Sequence, residues 1–119
     1  MKEQLITFET AKLAKEKGFD SKYTEDYDTL GFVQQRGILE SHNLERVSAP
    51  TQSLLQKWLR EVHNIYVLIE IHDSAKWFYF QITYKTNEGV EYTVPSSFYN
   101  TYEEALEVGL QEALKLIKL

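Results

Sequence analysis

Two apolar runs and the turn between them decide the fold: Tyr66-Val67-Leu68-Ile69-Glu70-Ile71-His72, then Asp73-Ser74-Ala75-Lys76, then Trp77-Phe78-Tyr79-Phe80-Gln81-Ile82-Thr83-Tyr84. β-Branched and aromatic residues dominate both runs, as a pleated, half-buried surface requires. The short polar connection predicts an antiparallel hairpin. Facing residue 72 with residue 77 sets Ile71 against Phe78, Ile69 against Phe80 and Val67 against Ile82, one continuous apolar side. Tyr66, Leu68, Glu70 and His72 then share the reverse side with Thr83, Gln81, Tyr79 and Trp77. A slip of one residue would mix the two sets, so the alternation specifies its own register.

Working outward, Thr86-Asn87-Glu88-Gly89 reads as a type I turn closed by a glycine bulge. That pairs Thr86 with Val90, Tyr84 with Tyr92 and Ile82 with Val94. Val90, Tyr92 and Val94 would extend the apolar side, and Glu91 and Thr93 the reverse one. Pro95 stops the pairing. A three-stranded meander results, with residues 77–84 in its middle. Thr101-Tyr102-Glu103-Glu104 is a capping box, and Lys115 and Lys118 suit the negative end of the helix it starts. Tyr102, Ala105, Leu106, Gly109, Leu110, Ala113, Leu114 and Ile117 form one apolar stripe. The small residues at 105, 109 and 113 predict a close approach to whatever that helix packs on.

Upstream, Ser48 is the expected N-cap of a second helix with Pro50 in its first turn. Leu55, Trp58, Leu59 and Val62 make its buried stripe, and His63-Asn64 ends it. A first helix over residues 7–17 packs Phe8, Ala11 and Ala14, and Gly18 terminates it with Phe19 folding back. Residues 20–47 follow neither period. Acidic residues alternate there with Tyr23 and Tyr27, and the aromatics predict docked pieces of strand or turn around 30–33 and 44–47.

The 119 residues fit one domain, 1–119, of class α+β: the meander packed against a C-terminal helix, with two further N-terminal helices and a long irregular segment. Hydrophobic content of 43% and charged content of 26% suit a soluble globular chain. A net charge of −5 argues against a phosphate-backbone ligand. With no cysteine there is neither disulfide nor thiolate chemistry, which fits a reducing compartment. Residues 1–6 carry no signal-peptide core, and no apolar run reaches the ~20 residues that span a bilayer. A cytoplasmic protein without membrane contact is expected.

The chain carries no phosphate-binding glycine loop, zinc motif or nucleophile elbow. Its histidines, His42, His63 and His72, would need acids recruited from afar to hold a metal. No catalytic residue, metal or cofactor is predicted, and the chain reads as a non-enzyme. The candidate binding residues are Tyr66, Leu68, His72, Trp77 and Tyr79 on the reverse side of the sheet. Either the 20–47 segment or the second helix covers them, or they form an exposed aromatic patch of the kind that anchors protein interfaces. The two sheet edges offer a further route to a partner or to a second copy. The alternative is a nucleic-acid-associated accessory factor whose sheet aromatics stack bases. Against it, Glu70 and His72 stand where such modules place Lys and Arg.

Residues 49–65, Ala49-Pro50-Thr51-Gln52-Ser53-Leu54-Leu55-Gln56-Lys57-Trp58-Leu59-Arg60-Glu61-Val62-His63-Asn64-Ile65, and residues 99–117 resemble small hypothetical proteins of gut-bacterial prophages and phages. The resemblance covers the last two-thirds of the chain. It implies a context, a small accessory protein of a mobile element inside a bacterial cell, and carries over no site residue. The expected function is a non-enzymatic interaction protein, a homodimer or a binder of a host or phage protein.

Overall fold

The computed structural model of the chain describes residues 4–19, 25–27, 33–34, 47–72, 76–93 and 97–118. In chain order its elements are α1 (Phe8–Glu16), β1 (Glu25–Tyr27), β2 (Val33–Gln34), β3 (Val47–Ala49), α2 (Gln52–His63), β4 (Ile65–Ile71), β5 (Phe78–Thr86), β6 (Gly89–Thr93) and α3 (Tyr102–Lys115). The fold is α+β, with an antiparallel sheet of order β4-β5-β6 under α3.

The alternation of residues 65–84 produces the hairpin it predicts. Val67 pairs with Ile82, Ile69 with Phe80 and Ile71 with Phe78, and His72 N–H donates to Trp77 O at 2.9 Å. Phe80, Ile82, Ile65 and Val67 are buried beneath Leu106, Leu110, Ala113 and Leu114. Each large apolar side chain removed from water contributes about 1.5–3 kcal/mol. The small-residue ridge explains the closeness of the layers. A Cβ on Gly109 would stand 2.9 Å from Val67 Cγ1 and 3.0 Å from Phe80 Cβ.

The third strand departs from expectation by one residue. Thr86 pairs with Gly89, Lys85 with Val90, Tyr84 with Glu91 and Ile82 with Thr93. Thr86 supplies the reason: its Oγ1 accepts from Glu88 N–H and donates to Gly89 O, each at 3.2 Å. That closes a two-residue loop and keeps Gly89, at φ +132°, inside the ladder instead of bulging out of it. Val90 therefore lies in line with Lys85 on the reverse face, and Glu91 and Thr93 fall on the helix side. Val94 and Pro95 lie outside the described residues.

Thr7, Thr51 and Thr101 each cap a helix by accepting from the backbone N–H three residues on. For α2 this displaces the expected cap. Ser48 belongs to β3, and Pro50 precedes the helix, with its carbonyl taking Ile6 N–H at 3.0 Å. Leu55 and Leu59 are buried and Trp58 packs edge-on against Phe19, whereas Val62 is exposed. Asn64 ends α2 in the left-handed conformation at φ 56°, and Gly18 follows α1 at φ +97°.

Residues 25–27, 33–34 and 47–49 form a second, small antiparallel sheet of order β2-β1-β3. Strands β2 and β3 begin where the two expected pieces end; the remainder of those pieces lies outside the described residues. The three helices meet at a buried carboxylate. Glu107 accepts from Thr7 N–H at 3.0 Å, from Thr7 Oγ1 at 3.1 Å, from Thr10 Oγ1 and from Gln52 Nε2 at 3.0 Å. Gln111 Nε2 donates to Thr10 Oγ1 at 2.8 Å. An acid of α3 thus occupies the positive start of α1 while holding α2.

Candidate functional site

With α3 on one face of the sheet, the opposite face is set by the pleat. Tyr66 and Leu68 project from β4 across from Thr83 and Gln81, and Glu70 lies across from Tyr79. Tyr66 is 41% exposed, Leu68 47% and Trp77 42%. His72 is exposed at the strand end and Tyr79 is half-buried. The five candidate residues therefore share one surface. Helix α2 does not cover it: Leu55 and Leu59 join the buried cluster on the α3 side, and Gln56 Nε2 reaches the carbonyl of Val67 at the strand edge. Most of the 20–47 segment, the other expected cover, lies outside the described residues.

Phe98 joins this surface, and sequence reasoning passed over it. Tyr99 forms a two-way bridge with Phe78, its N–H donating at 2.7 Å and its carbonyl accepting at 2.8 Å. Neighbours on a strand point to opposite sides. So the Tyr99 ring stacks on Phe80, centroids 6.3 Å apart, while Phe98 turns to the reverse face. There it meets the His72 ring edge-on at 4.8 Å and the Tyr79 ring at 5.8 Å. The adjacent aromatics Phe98-Tyr99 were the available signal, since one paired member commits the other to the far side. Phe98 remains 50% exposed.

The charge on the face is mixed. Glu70 sits within it, with Lys85 toward the β5–β6 turn and Lys76 at the other end. The corrected register removes Glu91 from the face and adds Val90 to it. No known protein family, curated protein or solved structure matches this chain. Among the described residues no three His, Asp or Glu side chains cluster tightly enough to hold a metal ion. No described helix is long and apolar enough to cross a membrane.

A cleft of about 550 Å³ opens at the far end of the layer, lined by His63, Ile65, Tyr84, Lys85, Lys115 and Lys118 among others. Its basic residues, Lys85 apart, have local duties. His63, Lys115 and Lys118 stand at the negative ends of α2 and α3, and Lys115 Nζ lies 3.1 Å from Glu112. Nearby, Lys17 Nζ donates to the carbonyl of Ile117 at 2.9 Å. Among the described residues the aromatic face has no such internal account, and it is the candidate site.

Proposed function

We propose that the chain is a non-enzymatic interaction protein that docks a protein partner on the reverse face of the β4–β6 sheet. Tyr66, Leu68, Trp77, Tyr79 and Phe98 supply the apolar anchors, and His72 and Glu70 supply polar contacts beside them. The observation that carries the reading is the exposure of Tyr66, Leu68 and Trp77, each above two-fifths, on one surface opposite the packed helix. Contiguous apolar surface of this kind is uncommon on a monomer and typical of interface centres, where aromatics supply area at low entropic cost. The resemblance to small phage and prophage proteins supports an accessory role for a mobile element in the bacterial cytoplasm.

Base stacking is the competing use of such a face, but binding modules for single strands surround their aromatics with a cationic groove. Glu70 at the centre of the patch and the chain's acidic balance oppose that. The test is capture from a bacterial lysate by wild type and by a Trp77→Ala/Tyr79→Ala variant. Support is a protein retained by wild type, lost from the variant and bound again when purified. Equal capture by both, or salt-sensitive binding of single-stranded DNA that Trp77→Ala abolishes, overturns the reading.

A further inference from the structure

Strand β4 is an edge strand whose two halves are closed to different degrees. Because His72 N–H donates to Trp77 O, the even-numbered residues of β4 turn their backbone groups toward β5. The odd-numbered ones turn theirs outward. Gln56 takes the outward carbonyl of Val67. Among the described residues nothing takes the outward groups of Ile69 and Ile71, and the Ile71 side chain is 60% exposed. Natural edges are blunted by Lys, Pro or short length. Strand β6 is short and runs toward Pro95, while β4 contains neither Lys nor Pro.

We infer that the C-terminal half of β4 pairs antiparallel with the same segment of a second copy across a twofold axis at Ile71. This deepens the interaction reading above by naming the occupant of the sheet's open edge. The register follows by elimination. Outward groups must meet outward groups, so odd-numbered residues face odd-numbered ones across the seam. Centring the axis on Ile69 would set Ile71 against Val67, whose carbonyl is already taken by Gln56. Centring it on Glu70 would set that carboxylate against its own copy at the closest cross-strand spacing, which like charges disfavour. Centring it on Ile71 sets Glu70 opposite the second copy's His72, on both sides of the axis. A carboxylate then faces an imidazole able to donate to it. The two Ile71 residues exchange backbone hydrogen bonds, and a six-stranded sheet extends the aromatic face across both copies.

Sedimentation velocity over a wide concentration range tests this. Wild type should rise from the 14.0 kDa monomer toward twice that mass. His72→Glu faces Glu70 with a second carboxylate and should weaken the dimer by roughly tenfold or more. Glu70→Lys/His72→Glu restores opposite charges and should recover most of the affinity. Ile71→Pro removes an outward N–H that β5 does not use, so it should abolish the dimer while the circular dichroism of the monomer persists. A wild type monomeric at every concentration overturns the pairing and leaves the lysate capture to decide the face. A dimer untouched by His72→Glu and Ile71→Pro but lost in Trp77→Ala/Tyr79→Ala also overturns it, and transfers the contact to the face.

Discussion

The two sides of the β4–β5 hairpin are built from the same strands and carry three Phe, Tyr or Trp residues each over residues 65–84, yet they meet different surroundings. On one, Phe80 and Ile82 lie buried beneath α3, with Phe78 half-buried at the end of the strand. On the other, Trp77, Tyr66 and Leu68 stand partly in water, with Phe98 reaching over His72 and Tyr79. Aromatic content does not separate the two. The polar complement does: Glu70, His72, Gln81 and Thr83 share the reverse side, whereas the helix side of residues 65–84 carries only aliphatic and aromatic residues.

Unfolding in urea tests that contrast most directly. Phe80→Ala empties space enclosed by α3 and should cost about 3–5 kcal/mol, whereas Trp77→Ala should cost about 1 kcal/mol or less. Equal losses would mean that the reverse face is core, and would break the comparison. Next comes the hub that joins the helices on the packed side. Glu107→Leu leaves Thr7 N–H without its acceptor and takes one acceptor each from Thr10 Oγ1 and Gln52 Nε2, a loss of about 2–3 kcal/mol. Amide exchange should locate the faster opening in α1. An unchanged unfolding midpoint would mean that the carboxylate contributes nothing net to the helix junction.

The smallest effect sharpens the comparison by measuring how tight the packed layer is. Gly109→Ala gains ~1 kcal/mol of helix propensity, but its methyl collides with Val67 and Phe80. Overpacking of this kind costs about 1–3 kcal/mol, so a net loss of about 1 kcal/mol is expected in the same titration. A net gain would show that the layers can separate without penalty.

The β4–β5 register was legible because seven consecutive pairs vote for it, four on the buried side and three on the reverse one. The β5–β6 register rests instead on one threonine hydroxyl choosing between two loop closures, which residue patterning does not weigh. Thr51 displaced Ser48 for a related reason: both residue types cap helices, and the choice went to the one whose neighbour, Pro50, is tied to Ile6. Glu107 gave no sign of burial, since a helical glutamate faces water by default and its partners lie 55 and about 100 residues away. The candidate patch was readable as a row of alternating positions. Phe98 entered it only through Tyr99, a contact made across a stretch that includes a proline.

That Tyr99 bridge has a consequence for the patch above it. The backbone next to Phe98 is clamped by two hydrogen bonds to β5, and the neighbouring ring is stacked within the folded interior. The Phe98 ring is thereby positioned when the chain folds, so little freedom is left to lose at first encounter with a binding surface.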